Sequence, residues 1–168
     1  MTILVAFASK HRSTQAIAER IAVRLREMGN DVAIQPVQSV GEVSHYEAFV
    51  IGSAVYFGSW MQEATDFVRR HRDMLATCPV WLFSSGPTGE AALPEPKEIA
   101  ELNAAIRPQE HREFGGMLDH HTLSFPERLI VQGVKAPEGD FRDWHAIDLW
   151  ADSIARALAP STAAPNQA

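Results

Sequence analysis

The chain has 168 residues, and its 15 lysines and arginines against 21 aspartates and glutamates leave a formal net charge of −6. With 46% hydrophobic and 21% charged residues, the composition fits one soluble globular domain and excludes collagen, a coiled coil and a disordered chain. The acidic balance argues against a nucleic acid as the main partner, because such binders need a dense basic surface.

The single cysteine, Cys78, cannot form an intrachain disulfide, so we expect a cytoplasmic protein and interpret Cys78 as a small buried filler. The apolar N-terminal run 2–8 has no basic residues before it and is interpreted as a strand, not a secretion signal. No uncharged apolar run approaches about 18 residues, so no transmembrane segment is predicted, whereas peripheral contact with a membrane stays open.

Apolar runs typical of strands alternate with helical patterns along the chain. Three runs are continuously apolar, as expected for strands buried on both faces of a parallel sheet. Two more are edge-like, because one contains Pro36 and the other is polar with paired glycines. In chain order the predicted elements are strand 3–8, a helix ending at Gly29, edge strand 31–37, strand 48–52, a helix from Met61 to Leu75, strand 79–83, helix 96–106, edge strand 111–118 and helix 143–158.

This alternation predicts an α/β fold with a doubly wound, five-stranded parallel sheet, strand order 2-1-3-4-5, and helices on both faces. The order places the two edge-like strands at the edges, and a ligand site outside the carboxyl ends of strands 1, 3 and 4. Residues 1–159 are expected to form one domain. The small, polar segment 160–168 is expected to be a disordered tail.

The first loop at that edge, 9–14, contains three hydroxyls, one imidazole and two cations directly before a helix. A helix N-terminus with such donors favours a phosphate. The alternative is that Ser13 only caps the helix.

The second loop, 53–60, contains three aromatic residues where polar ones would be ordinary, which indicates a flat apolar ligand. Alternatively, Phe57 and Trp60 fold back into the core. The third loop, 84–90, is rich in glycine and hydroxyls, and its backbone N–H groups are suited to the polar edge of a ring. Its alternative is an ordinary turn between strand and helix.

Over residues 2–159, with this hydroxyl-rich first loop, the chain resembles the flavodoxin-like proteins. The run Ile51-Gly52-Ser53-Ala54-Val55-Tyr56-Phe57-Gly58, together with the segments 116–118 and 139–144, is similar to the group that includes the menaquinone-dependent protoporphyrinogen oxidases. Where the family's first loop usually has glycine, this chain has Arg12, so either the loop conformation differs or Arg12 offers charge to the phosphate.

The resemblance implies FMN as the cofactor, with a related cofactor such as a deazaflavin left open. It implies that Tyr56 or Phe57 stacks on the ring. The implied cofactor-binding residues are Ser9, His11, Arg12, Ser13 and Thr14 at the phosphate, Ser53, Ala54, Val55, Tyr56, Phe57 and Gly58 against the ring face, and Ser84, Ser85, Gly86, Pro87, Thr88 and Gly89 at its pyrimidine edge.

The function this implies is flavin-mediated electron transfer, which needs no acidic or basic side chain, and no catalytic residue is assigned. Two classes stay open: a carrier that docks with a redox partner protein, and an oxidoreductase acting on a quinone or a porphyrinogen-like substrate. The charge of −6 is small for a dedicated acidic carrier. The segment 120–134 would line a substrate cleft or touch a membrane, or else pack as a helix over the sheet edge.

Other chemistries lack their motifs. A response regulator needs acidic residues after strands 1 and 3, where Ser9 and Ser53 stand instead. No P-loop, G-x-G-x-x-G turn or G-x-S-x-G elbow occurs. His120-His121 has no third ligand at useful spacing, so no metal site is predicted.

Overall fold

A computed structural model describes residues 1–86, 95–118, 139–140 and 142–160. Four sequence predictions fall outside these residues: the binding residues 87–89, the pair His120-His121, the role of the segment 120–134 and nearly all of the tail. The strands are β1 Thr2–Ala8, β2 Asp31–Pro36, β3 Ala48–Tyr56, β4 Ser59–Trp60, β5 Val80–Gly86, β6 Glu110–Gly115, β7 Met117–Leu118 and β8 Gly139–Asp140. The helices are α1 Ser13–Glu27, α2 Gln62–Arg70, α3 Arg72–Leu75, α4 Lys97–Ile106 and α5 Trp144–Leu158, with a 3-10 turn at Val37–Ser39.

The main sheet has the order β2-β1-β3-β5-β6, and all four of these neighbouring pairs are parallel. This confirms the predicted doubly wound fold, with the Pro36 strand and the polar strand at the two edges. Two features were not predicted. Strand β4 folds back antiparallel on β3, and β7 pairs with β8 in a separate two-stranded sheet.

The register brings the carboxyl ends of four strands level. Ala8 lies beside Ser53, Ala54 beside Ser85, and Gly86 beside Gly115. The chain segments that leave these strands therefore start from one edge of the sheet, which is where this fold binds ligands.

Helices cover the sheet on both faces, as the buried clusters show. Helices α1 and α5 pack on one face, and α2, α3 and α4 pack on the other. In the layer of α1 and α5, a Cβ at Gly52 would lie 2.0 Å from the Phe83 ring, so only glycine allows that ring to cross the neighbouring strand. None of the helices in the described part of the chain is long and apolar enough to cross a membrane.

Two helix predictions and the interpretation of Cys78 are corrected. The predicted helix 61–75 is interrupted at His71, which separates α2 from α3. The helical spacing of the predicted helix 143–158 places Trp144 on its inward face, but Trp144 is 37% exposed, and Trp150 is the buried tryptophan of α5. Its indole N–H donates to Glu110 over 2.8 Å. Cys78 is half-buried against the second cluster rather than fully buried.

Candidate functional site

The first loop ends in a left-handed residue. Arg12 has φ 63° and directly precedes α1, which begins at Ser13. Glycine adopts this conformation without a penalty, whereas other residues rarely do. The loop therefore keeps the backbone conformation that favours glycine although arginine occupies the position. Of the two alternatives for Arg12, a changed loop conformation is thus not the one observed at this residue.

The charge at the start of α1 favours an anion. The N-terminal end of a helix carries partial positive charge and backbone N–H groups without intrahelical partners. The first turn contains no acidic residue, and the guanidinium of Arg12 is a donor with no acceptor atom. Lys10 and Arg12 add two formal positive charges beside this end. An anion bound here would offset that charge.

Ser13 does not cap its own helix. Its hydroxyl accepts a hydrogen bond from the backbone N–H of Met117 over 2.8 Å. The capping alternative for Ser13 is therefore wrong. Because a hydroxyl that accepts one bond still has a proton to donate, Ser13 can also serve an anion at the helix terminus.

The second loop is a tight hairpin rather than the long loop that was predicted. Residues 53–56 belong to β3, and only Phe57 and Gly58 lie between Tyr56 and its partner Ser59. Both turn residues have positive φ, 52° and 72°, as a type I′ turn requires. Phe57 is 74% exposed at the tip, and an aromatic held in this conformation without burial is a candidate contact residue.

The hairpin meets the first loop through its other aromatic residue. The ring of Tyr56 is half-buried and lies edge-to-face with the His11 imidazole, with 6.4 Å between centroids and 75° between planes. The structure thus brings together the residues that the sequence assigned separately to a phosphate and to a flat ring.

The third aromatic of this segment, Trp60, folds back into the core at 4% exposure, which confirms that alternative for Trp60 alone. Its indole N–H donates to the Ser84 hydroxyl over 2.7 Å. Ser53 is also fully buried, and its hydroxyl accepts from the Met61 N–H at 3.0 Å. The side chains of Ser53 and Ser84 are therefore used to hold the hairpin.

A residue that sequence reasoning missed completes this group. His111 on β6 has Nε2 2.7 Å from the Ser84 hydroxyl and Nδ1 3.3 Å from a carboxylate oxygen of Glu95. The imidazole is buried, and this desolvation lowers the pKa of His111, although Glu113, Glu95 and Glu110 oppose the shift. Nothing in the spacing of the polar edge strand indicated that His111 would contact β5.

The third predicted loop begins at the end of β5, since Ser84, Ser85 and Gly86 are strand residues. The bend between β6 and β7 packs against this end. A Cβ at Gly116 would lie 2.3 Å from the Gly86 carbonyl oxygen. Next to it, the guanidinium of Arg142 binds Asp140 at 2.7 Å and lies 4.7 Å from the Trp144 ring centroid.

Comparison with known proteins agrees with this geometry. Residues 4–144 match the flavodoxin domain family. The chain belongs to that family. Protoporphyrinogen IX dehydrogenase [quinone] of Escherichia coli K12 is 22% identical, and the match covers 92% of this chain and 95% of that protein.

Solved flavodoxins share the fold. An archaeal flavodoxin superposes with a TM-score of 0.64 at 18% identity, covering 94% of this chain and 98% of that one. Flavodoxin 2 of Bacillus cereus superposes with a TM-score of 0.62 at 23% identity, covering 94% and 99%. For this member of the flavodoxin domain family, the assignment supports flavin-binding electron transfer and points to FMN.

The residues present fit FMN. The start of α1, whose first turn has no acidic residue, suits its phosphate, and the exposed Phe57 with the half-buried Tyr56 suits a flat apolar ring. His11 joins the two parts through its contact with Tyr56. A monoanionic or dianionic ester linked to an aromatic ring system is therefore the ligand class this edge of the sheet accommodates.

Proposed function

We propose that the chain binds FMN at this edge of the sheet and exchanges electrons through it. The observation that carries the proposal is the start of α1, where a left-handed Arg12 and the absence of a first-turn acid leave positive charge beside an aromatic hairpin. The residues proposed to hold the phosphate are Ser9, His11, Arg12, Ser13 and Thr14.

The hairpin residues Tyr56 and Phe57 are proposed to cover one ring face and to keep water from it. The backbone around Ala54, Val55, Gly58, Ser85 and Gly86 is proposed to border the ring. Bound FMN supplies the redox chemistry, accepting and releasing electrons. The chain's part is to bind and orient the cofactor, and no side chain needs to transfer a proton.

The test begins with the visible spectrum of the purified protein, followed by titration of apoprotein with FMN and with riboflavin. We expect saturable quenching of FMN fluorescence and much weaker binding of riboflavin, because riboflavin lacks the phosphate. Equal affinity for the two would refute the phosphate site, and no saturable binding of FMN would refute the proposed function. The same titration with a deazaflavin phosphate decides between the two cofactor classes.

A second candidate, a quinone-linked oxidoreductase, is supported by two observations. The E. coli relatives are named for protoporphyrinogen IX and a quinone. Strand β7, which pairs with β8, is joined to the start of α1 by the bond from Met117 to Ser13, so the sequence between β7 and β8 begins and ends near the proposed site. A redox protein as partner remains the alternative. Turnover of protoporphyrinogen IX by FMN-loaded protein with menaquinone as acceptor would favour the enzyme, and flavin loading without turnover would favour the carrier.

The domain limits and the location are part of the same proposal. Residues 1–159 are proposed as one domain, supported by α5, which packs on the sheet as far as Leu158. A cytoplasmic location is supported by the absence of any possible intrachain disulfide. Limited proteolysis that stops near residue 160 would agree with the domain limit.

A further inference from the structure

Four side chains form a continuous polar chain behind the aromatic hairpin. The Trp60 indole lies 2.7 Å from the Ser84 hydroxyl, which lies 2.7 Å from His111 Nε2, and Nδ1 of His111 lies 3.3 Å from Glu95. Trp60 is 4% exposed, Ser84 is 2% exposed, and the His111 side chain is 8% exposed. This series of hydrogen bonds thus begins at the hairpin, crosses β5 and β6, and ends at a carboxylate on the surface.

The donors and acceptors in this series determine which nitrogen of His111 carries the proton. An indole N–H only donates, so the Ser84 oxygen accepts from Trp60. The remaining Ser84 proton then points to His111 Nε2, which must be the unprotonated nitrogen. The Nδ1–H of the neutral imidazole donates to Glu95. Each polar group has a partner when His111 is neutral.

Protonation of His111 disrupts this arrangement of hydrogen bonds. With a proton on Nε2, both His111 and Trp60 donate to the Ser84 oxygen, and the hydroxyl proton loses its acceptor in a buried site. The charged groups around the imidazole are Glu113 and Glu110 on its own strand and Glu95 before α4. Glu98 of α4 is bound to the Trp60 backbone N–H at 3.1 Å, and β4 and β5 contribute no titratable side chain.

Other contacts also hold the hairpin, among them its pairing with β3, the ring contact of Tyr56 with His11 and the bond from the Lys97 N–H to the Gly58 carbonyl at 3.3 Å. Trp60 is the largest hairpin side chain buried in the core. The edge-to-face contact of Trp60 with the His111 ring, 6.4 Å between centroids, adds to the polar chain. The position of Tyr56 and Phe57 therefore depends in part on how Trp60 is held.

We propose that His111 is a positioning residue which, through Ser84 and Trp60, holds the hairpin against the flavin and releases it when the imidazole is protonated. This inference rests on the proposed binding of FMN. Because burial lowers the pKa of His111, the neutral form and its hydrogen bonds are fully present above the unfolded value of about 6.5. In the folded protein they persist below that value and are lost as the pH falls through the lower folded pKa of His111.

The first experiment measures the FMN dissociation constant of wild type, His111→Gln and Ser84→Ala from pH 8 down to the pH at which NMR titration shows His111 protonated. The FMN phosphate itself titrates near pH 6, so the difference between variants, not the wild-type curve alone, carries the result. Glutamine can accept from Ser84 without titrating. We expect wild type to lose about fivefold more affinity than His111→Gln over this range, the equivalent of one hydrogen bond.

Ser84→Ala keeps His111 but removes its link to Trp60. We expect weaker FMN binding than wild type at pH 8 and a pH profile like that of His111→Gln. His45→Gln is the matched control, because His45 is an exposed histidine before β3, at the other end of that strand, and its variant should retain the wild-type profile.

The second experiment needs no cofactor. Hydrogen exchange of the backbone amides of residues 57–60 and of the Trp60 indole is compared in the apoproteins at pH 8 and at the pH where NMR titration shows His111 protonated, after correction for intrinsic exchange. We expect protection in wild type to fall on protonation of His111 and to stay constant in His111→Gln over the same pH change. Far-ultraviolet circular dichroism confirms that each variant is folded, and Ser84→Ala replaces His111→Gln if the latter is not.

The outcomes separate the two proposals. If wild type fails to bind FMN at pH 8, the proposed function is overturned and this inference falls with it. If wild type binds FMN but its pH profile equals that of both variants, this inference alone is overturned. Unchanged hairpin protection in wild type after His111 is protonated overturns it as well.

Discussion

The backbone N–H of Met117 donates a hydrogen bond to the Ser13 hydroxyl over 2.8 Å, and these residues lie 104 positions apart. The bond ties the start of α1 to strand β7. Since α1 begins at the proposed phosphate site, one side chain connects that site to the small β7–β8 sheet.

Replacement of this hydroxyl should affect both parts. In Ser13→Ala the Met117 N–H loses its acceptor, and we expect a loss of about 1 kcal/mol in unfolding free energy. We also expect FMN to bind about tenfold more weakly, because one donor to the phosphate is removed. Urea denaturation and fluorescence titration measure the two effects. Ser39→Ala, at an exposed serine that ends the 3-10 turn, should change neither.

Two substitutions at the left-handed residue Arg12 distinguish the effect of backbone strain from the effect of the guanidinium charge. Arg12→Gly and Arg12→Ala both remove the guanidinium, but only glycine adopts φ 63° without backbone strain. We expect Arg12→Gly to be about 1 kcal/mol more stable than Arg12→Ala in urea denaturation of the apoproteins. Both should bind FMN more weakly than wild type at low salt, and the difference from wild type should shrink as salt is added. Equal stability of the two variants would mean that residue 12 does not hold this conformation in solution.

At Phe57 we expect stability and binding to change in opposite directions. Asparagine followed by glycine is the favoured pair for a type I′ turn, and Phe57 is too exposed to contribute to the core. Phe57→Asn should therefore raise the unfolding free energy by about 0.5 kcal/mol while FMN affinity falls. Tyr56→Ala should weaken FMN binding and also lose the contact with His11. If Phe57→Asn binds FMN as tightly as wild type, Phe57 does not contact the ring.

These residues also show where sequence reasoning succeeds. Strands β1, β3 and β5 were predicted because each is continuously apolar, and β2 was placed at an edge because of Pro36. The first loop and the aromatic segment were assigned to one site because parallel strands deliver their loops to one edge. Both inferences depend on local composition and on the topology rule alone.

What the sequence did not predict depends on contacts between distant residues. The hairpin was missed because its turn has phenylalanine where asparagine or glycine is usual, so no turn signal was present. Ser53 and Ser84 were placed in loops, but they extend their strands and bond Met61 and Trp60. For Trp150 a signal existed, because it lies three residues after Ile147 on the buried stripe of α5.

The bend between β6 and β7 offers a steric test of how the site is closed. In Gly116→Ala the new Cβ would lie 2.3 Å from the backbone carbonyl oxygen of Gly86, so one of the two strands must move. We expect a loss of about 2 kcal/mol, which corresponds to a decrease in Tm of about 4–8 °C. In Gly41→Ala the new Cβ has no atom within 4 Å, and the Tm should stay unchanged. Equal Tm values for the two variants would contradict the packing at Gly116.

The pairing of α1 with α5 predicts part of the acid sensitivity. The Arg24 guanidinium binds Asp152, with 2.6 Å between Nε and Oδ1, and this hydrogen bond lowers the pKa of Asp152. Arg20 does the same for Asp148 at 2.6 Å. Because the folded pKa values lie below the unfolded value of about 3.9, the stability from these pairs is present above that pH and is lost as the pH falls through the folded pKa.

Asp152→Asn should therefore lower the urea midpoint at pH 7 and leave the midpoint at pH 2.5 close to that of wild type. The decrease at pH 7 should be modest, since the Arg24 side chain is partly exposed to solvent. Asp73→Asn is the matched control, because the Asp73 side chain is fully exposed and its oxygen lies 3.9 Å from Arg72. A variant Asp152→Asn that matches wild type at both pH values would show that α1 and α5 are held by their apolar contacts alone.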